Sequence, residues 1–183
     1  MKRCLFLLMC IISMVGCSQE STSPKQSGKM LPPIKAKLEV EEESLSNDII
    51  QLTLRITFEN SETKAKAILE ESGVIQNTEV GKSVLGEWSN LQKGEAISIL
   101  IDVKAKGNGK GSIKVKVEAY DDNGKLKYGM NPSQYFLFSE EEVLTGNNGF
   151  MELEIQHLDH LKEQGKISNK EYEKRKEEIM KGN

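Results

Sequence analysis

Four stretches of the chain have an apolar residue at every second position. Their apolar positions are Ile34, Ala36, Leu38 and Val40; Ile50, Leu52, Leu54, Ile56 and Phe58; Ile97, Ile99, Ile101, Val103 and Ala105; and Ile113, Val115, Val117 and Ala119. A period of two places the apolar side chains of a strand on one face. Such strands are typical of antiparallel sheets that are buried on one face and solvated on the other. The pattern therefore predicts a mainly β protein.

Shorter strands and turns complete the predicted domain. The strand candidates are 64–69, 73–84, 125–128 and 134–138, and the segment 145–149 is expected to be a linker. Asp121-Asp122-Asn123-Gly124 predicts a tight hairpin turn, and the glycine-rich 107–111 predicts a second hairpin connection. About seven strands over 34–143 are close to the strand number and length of an immunoglobulin-like antiparallel β-sandwich. We expect that fold for 34–143.

A series of short motifs lies within this region. It comprises Phe58-Glu59-Asn60-Ser61, Ala65-Lys66-Ala67, Glu87-Trp88, Asn90-Leu91-Gln92-Lys93-Gly94-Glu95, Ile99–Val103 and Gly111-Ser112-Ile113-Lys114-Val115. Residues 48–124 resemble the CARDB-like immunoglobulin-type domains of bacterial and archaeal surface proteins in these motifs. The resemblance implies non-covalent binding or spacing, and it supplies no catalytic residues.

The pattern becomes helical after residue 149. Phe150, Leu153, Glu154, His157, Leu158 and Leu161 recur at steps of three and four residues. Gly165 is expected to end this helix, and Ser168 with Glu171 forms a capping box that begins a second one. The sequence predicts a short α-helical hairpin over 150–181.

The helical hairpin resembles a SHOCT module. The residues that carry this resemblance are Leu158, Leu161, Gly165, Ile167, Ser168, Glu171, Tyr172, Lys176 and Ile179. A pair of this size cannot bury a sufficient core alone, so its apolar stripe needs another surface. That surface is the sandwich, a second copy or a partner. The resemblance implies partner docking or oligomerisation, through Leu158, Leu161, Ile167, Tyr172 and Ile179.

The N-terminus has the pattern of an export signal. Lys2 and Arg3 precede a short apolar run, which ends in Met14-Val15-Gly16-Cys17. This run is too short for a transmembrane helix, which takes about 20 apolar residues. The final four residues resemble the lipobox of bacterial lipoproteins. The resemblance implies removal of 1–16, acylation of Cys17 and a lipid anchor on the exported side of a bacterial cell membrane or outer membrane. The polar segment 17–33 is expected to be a flexible tether.

Composition narrows the class of function. The formal net charge is −3, and loss of the signal would remove two positive charges, which argues against nucleic-acid binding. Of the three cysteines, Cys4 and Cys10 would leave with the signal and Cys17 would be acylated. The domain should therefore have no disulfide, thiol catalysis or cysteine-bound metal, and we expect no cofactor.

Some residues allow a chemical interpretation beside a structural one. His157 and His160 are the only histidines; they are metal-ligand candidates or simply lie on a solvated helix face. Asp121–Gly124 is a calcium-loop candidate, although a hairpin turn explains it better. Lysines 104, 106, 110, 114 and 116 are a candidate basic patch for an acidic glycan, teichoic acid or lipid headgroup, or a plain solvent face. Trp88 with Tyr120, Tyr128 and Tyr135 is a candidate sugar-binding platform, although core packing explains Trp88 better.

These observations predict a non-enzymatic binding or scaffold module held at a membrane by lipid, with a protein partner or self-association. Two other hypotheses stay open. One is a passive structural spacer, and the other is a metal-dependent accessory enzyme that uses His157 and His160.

Overall fold

The computed structural model describes residues 32–46, 48–79, 81 and 83–182. The predicted signal 1–16, Cys17 and all but the end of the predicted tether lie outside the described residues. The first strand begins at Ile34, where the alternation begins.

Ten strands, one 3₁₀ turn and two helices make up the described chain. In order they are β1 (Ile34–Val40), the 3₁₀ turn (Glu42–Ser46), β2 (Ile50–Phe58), β3 (Glu62–Gly73), β4 (Ile75–Asn77), β5 (Val84–Leu91), β6 (Ala96–Ala105), β7 (Gly109–Tyr120), β8 (Leu126–Met130), β9 (Ser133–Phe138), β10 (Val143–Gly146), α1 (Phe150–Glu163) and α2 (Asn169–Met180).

The strands form two antiparallel sheets. The four-stranded sheet A has the order β1-β2-β6-β4, and the six-stranded sheet B has the order β10-β9-β7-β3-β5. Strand β7 pairs with β3 along one side. On its other side it pairs with β9 over Gly109–Lys114 and with β8 over Val117–Tyr120. The predicted fold class is confirmed: an immunoglobulin-like antiparallel β-sandwich followed by a short helical hairpin.

The inner faces of both sheets form one hydrophobic core. In sheet A, Leu38, Leu54 and Ile99 lie side by side across three strands. Val117 of sheet B is fully buried in the same core. Burial of one such aliphatic side chain contributes about 1.5–3 kcal/mol. The apolar residues of the predicted period-two alternation thus form the buried face of each long strand.

Three expectations about strands and their connections are wrong. The strand predicted for 73–84 is divided, because Gly73 (φ 73°) ends β3 in sheet B and Ile75 begins β4 in sheet A. A side chain at Gly73 would meet the carbonyl oxygen of Lys110, so glycine permits this crossing. The linker predicted for 145–149 begins within β10, because Thr145 and Gly146 pair with β9.

The glycine-rich segment 107–111 is not a hairpin connection. It joins β6 of sheet A to β7 of sheet B. Consequently, Lys104 on β6 does not share a face with Lys114 and Lys116 on β7. The second predicted turn is correct: β7 and β8 form a hairpin in which Asp121 accepts hydrogen bonds from the backbone of Asn123 and Lys125.

Candidate docking site at the helical pair

Helix α1 begins against the outer face of sheet B. The rings of Phe150 and Tyr135 meet edge to face, with centroids 5.0 Å apart. Lys110 of β7 extends over the Phe150 ring at 5.7 Å, and its Nζ lies 2.8 Å from Oε1 of Glu154. An apolar contact and an ion pair therefore fix the first turns of α1 to two neighbouring strands.

Leu153 is the buried anchor of this helix. It is fully buried, and it packs against Gly146 of β10. A Cβ atom at Gly146 would lie 3.2 Å from Cδ2 of Leu153, closer than ordinary packing allows. The absence of a side chain at Gly146 lets the helix approach the strand.

Glu142 joins the β9–β10 turn to both histidines. Its Oε1 lies 2.8 Å from Nδ1 of His157, and its Oε2 lies 2.6 Å from Nδ1 of His160. The backbone of Glu142 is held in turn by Ser139, whose Oγ accepts from the Glu142 amide at 3.1 Å. Each imidazole must donate from Nδ1, since an ionised carboxylate only accepts. The pair of histidines thus serves to dock α1.

This arrangement moves two pKa values in opposite directions. Burial raises the pKa of Glu142, but the hydrogen bonds from His157 and His160 outweigh it and hold that pKa below its ordinary value. The hydrogen bond and charge of Glu142 raise the pKa of His160. Both shifts favour the charged pair.

The second helix packs on the first through Tyr172. The tyrosine hydroxyl donates to Asp159 at 2.7 Å and accepts from Lys176 at 3.0 Å. Lys162 of α1 lies over the ring at 4.2 Å. Tyr172 is buried, so its ring is covered while both hydroxyl functions are satisfied.

Gly165 and Ser168 end and begin the two helices as predicted, while the carboxylate of Glu171 pairs with Arg175. Gly165 (φ 70°) adopts the left-handed conformation after α1, and the amide of Lys166 donates back to the carbonyl of Leu161 at 2.9 Å. Ser168 caps α2 by accepting from the Glu171 amide at 3.2 Å. Lys166 also forms an ion pair with Glu141. The turn is therefore tied to the sheet as well as to both helices.

A groove of about 310 Å³ lies where β9 meets the two helices. Its apolar residues are Leu137, Leu158 and Ile179, one from each element. The charged and polar residues around them are Glu154, His157, Arg175 and Glu178. An apolar floor with a mixed-charge rim suits an apolar side chain of a protein segment rather than a highly charged ligand.

The five predicted docking residues have different environments. Leu158 and Tyr172 are buried within the chain, and Ile179 is half-buried in the groove. Leu161 and Ile167 are half-buried and do not line the groove. Contact of these residues with a partner stays a prediction.

Sequence reasoning missed Leu137, Glu154 and Arg175 as groove residues. The signal for Leu137 was present, because Tyr135 and Leu137 alternate with Phe136 and Phe138 and make both faces of β9 apolar. A strand that is apolar on both faces is covered on both. The helical pair provides the outer cover.

The other candidate groups are dispersed or neutralised. Lys114 and Lys116 both lie near Glu70, and Lys110 pairs with Glu154, so these lysines do not form a uniform basic patch. Trp88 and Tyr120 line one pocket of about 380 Å³. Tyr128 packs against the core, and Tyr135 contacts Phe150 on a different part of the sheet. The aromatic residues therefore do not form one sugar-binding platform.

A larger concave surface lies on the outer face of sheet A. It has a volume of about 840 Å³ and is lined by Glu39, Val40, Glu41, Glu42, Glu43, Ser44, Gln51, Arg55 and Leu100. Two of its acidic groups are already engaged: Glu39 accepts from Arg55 at 3.1 Å, and Glu41 accepts from Thr53 at 2.9 Å. We therefore place the candidate docking site at the helical pair.

Two further findings apply to the residues that the structure describes. Within them, no three histidine, cysteine or carboxylate side chains are grouped so as to hold a metal ion. Neither described helix has the length and apolar character needed to cross a membrane.

Comparisons with known proteins give little beyond this geometry. No family model matches the chain, and no curated protein matches it either. Among solved structures, it is similar to native α2-macroglobulin from Escherichia coli spanning domain MG7 to the C-terminus (24% identity, TM-score 0.44, 58% of this chain and 16% of that chain). It is also similar to the native conformation of E. coli α2-macroglobulin (22% identity, TM-score 0.40, 55% of this chain and 6% of that chain). The chain thus corresponds to a small part of those proteins.

Proposed function

We propose that this chain is a lipid-anchored envelope lipoprotein whose folded body is a non-catalytic binding or scaffold module. The anchor would be Cys17, exposed as the new N-terminus after removal of 1–16. The binding surface would be the groove between β9, α1 and α2. Its occupant would be an apolar side chain from a protein partner or from another copy.

The observation that carries the binding part of the proposal is the composition of this groove. Leu137, Leu158 and Ile179 supply apolar surface from three elements, while Glu154 and Arg175 lie around it. The contacts of Leu153 and Tyr172 hold these elements together from within the chain. The groove is therefore preformed, which lowers the ordering cost of binding.

The sequence motifs that resemble SHOCT modules and CARDB-like domains agree with this interpretation, although no family model matches the chain. Both resemblances imply binding, spacing or assembly without chemistry. The docked hairpin fits a role in which the sandwich holds the helical pair and the pair presents the groove.

The anchor is tested in intact bacteria that produce the full chain with a clickable fatty-acid analogue. We expect the wild type and the control Ser18→Ala to be labelled and membrane-bound. Cys17→Ser should lose both the label and the membrane association, since the acyl chains supply the affinity. Equal labelling of Cys17→Ser would contradict the lipid anchor.

The groove is tested by photo-crosslinking in the same cells. A photoreactive amino acid at position 179 should give a defined adduct, whereas the same group at the exposed neighbouring position 180 should not. Leu137→Arg should abolish the adduct. A folded protein that gives no adduct from position 179 would instead support the passive spacer.

A further inference from the structure

Strand β6 has one edge that is only partly covered. On one side β2 pairs with it from Ala96 to Val103. On the other side β4 pairs only with Val103–Ala105, and the Thr78 amide donates to the Asp102 carbonyl. In the described part of the chain, no strand pairs with that side over 96–101.

The orientation of the uncovered backbone groups follows from the pairing. In an antiparallel strand, successive residues direct their N–H and C=O groups to opposite sides. Since the carbonyl of Asp102 faces β4, the backbone groups of Ala96, Ser98 and Leu100 face the same, open side. All three residues are exposed, and Leu100 is 70% exposed.

The composition of this edge is unusual for an exposed strand. The segment Ala96-Ile97-Ser98-Ile99-Leu100-Ile101 has no charge, proline or glycine. Open edges are normally protected by charged residues, proline or bulges. The edge strand β1 is protected in this way, because Lys35, Lys37 and Glu39 follow one another along it.

We infer that the β6 edge pairs with β6 of a second copy of this chain. The two strands would run antiparallel about a two-fold axis at Ser98, with Ala96 of each copy opposite Leu100 of the other. Ile97 would lie opposite Ile99 on the inner face. The two A sheets would then form one continuous sheet across the dimer.

Charge and register favour a second copy as the occupant. In this register Ser98 meets Ser98, and neither Glu95 nor Asp102 meets a like charge. A two-fold self-pairing of β1 centred on Lys37 would instead oppose Lys37 to Lys37, which is unfavourable. About six backbone hydrogen bonds would join the two β6 strands, since each hydrogen-bonded residue pair exchanges two.

Neighbouring parts of the fold limit the β6–β6 pairing at both ends. Asp102 is engaged by Thr78, so β4 limits pairing at that end. The partner strand begins at Ala96, after the turn in which the amide of Gly94 donates to the Phe58 carbonyl. The inference is independent of Cys17 and of the groove at the helical pair.

The first test is cross-linking of the full chain in intact cells with a short bis-maleimide. Ser98→Cys should give a covalent dimer whose mass is that of two copies. The wild type controls for the natural cysteines, and Lys37→Cys places a thiol on the exposed β1 edge. A Ser98→Cys band no stronger than these two controls would overturn the inference, as would an adduct with another protein.

The second test measures the sedimentation of the detergent-solubilised full chain. The wild type and Ser98→Thr should sediment as dimers, because threonine is neutral and favours strands. Ser98→Lys should be monomeric, since two lysines would meet at the axis, and its circular dichroism should match that of the wild type. A folded Ser98→Lys variant that remains dimeric would also overturn the inference.

Discussion

Nδ1 of His160 lies 2.6 Å from Oε2 of Glu142, so a hydrogen bond joins the last turn of α1 to the β9–β10 turn. The raised pKa of His160 and the lowered pKa of Glu142 both favour the charged forms of this pair. Docking of the helical pair should therefore depend on pH.

The sign of this dependence differs between the two groups. His160 contributes stability that is complete below its ordinary pKa of 6.5 and is lost as pH rises through its raised value. Glu142 contributes stability that is present above its ordinary pKa of 4.5 and is lost as pH falls through its lowered value. We expect the docked helices to be most stable between about pH 4.5 and 6.5.

The measurement is hydrogen exchange of the α1 amides across this pH range, corrected for intrinsic exchange rates. Glu142→Gln should flatten the pH profile, because it removes both the loss of stability at low pH and the loss at high pH. The exposed neighbour Glu140 provides the control Glu140→Gln, which should leave the profile unchanged. A pH profile that survives in Glu142→Gln would contradict the role of this contact.

Truncation of the buried anchor should be costly. Leu153→Ala removes a fully buried side chain that packs on Gly146, and the expected loss of unfolding free energy is about 2–5 kcal/mol. The control Met151→Ala alters a side chain that is 51% exposed, so it should change stability by less than about 0.5 kcal/mol. Urea unfolding, monitored by circular dichroism, compares the two variants. Equal unfolding midpoints would argue against the packing of Leu153 on Gly146.

The single tryptophan reports on the β5 edge of the core. A Cβ atom at Gly86 would lie 2.4 Å from Cζ2 of Trp88, so Gly86→Ala must displace the indole. We expect a red-shifted emission and a stability loss of about 1–3 kcal/mol. Ser89→Ala, on the same strand but exposed, should change neither quantity. An unshifted spectrum in Gly86→Ala would show that the ring does not lie over this glycine.

The hydroxyl of Tyr172 should stabilise the helical pair modestly. Tyr172→Phe keeps the ring under Lys162 but removes the hydrogen bonds to Asp159 and Lys176. The expected cost is about 1–3 kcal/mol, because a hydrogen bond to a charged group is stronger than a neutral one. Asp159→Asn should lose only part of this unfolding free energy. A double-mutant cycle measures the coupling energy between Tyr172 and Asp159. A coupling of zero would be inconsistent with the contact.

The sequence predicted the long strands well because their signal is local. Leu52 and Leu54 share a face whatever the strand pairs with, and α1 follows from the spacing of Leu153 and Leu158 in the same way. The assignment of strands to sheets was not predictable in this way. Gly109 follows β6 closely in sequence, yet it begins a strand in the opposite sheet.

The candidate site shows the same limit. The histidines were recognised, but Glu142 lies in a turn 15 and 18 residues before them, so its contact with His157 and His160 had no local signal. Gly146 likewise has the composition of a loop. The close approach of Leu153 explains why a glycine occupies this position in β10.

The pairing of β7 with three strands has a consequence for how the chain acquires its structure. The β3–β7 register joins residues about 40–55 positions apart, whereas β8 and β9 follow β7 closely, and long-range pairing of this kind slows folding. The surface that receives α1 is built on β9, which itself pairs with β7. We therefore expect the helical pair to dock late, after β7 has found β3, so that a docked α1 reports a completed sandwich.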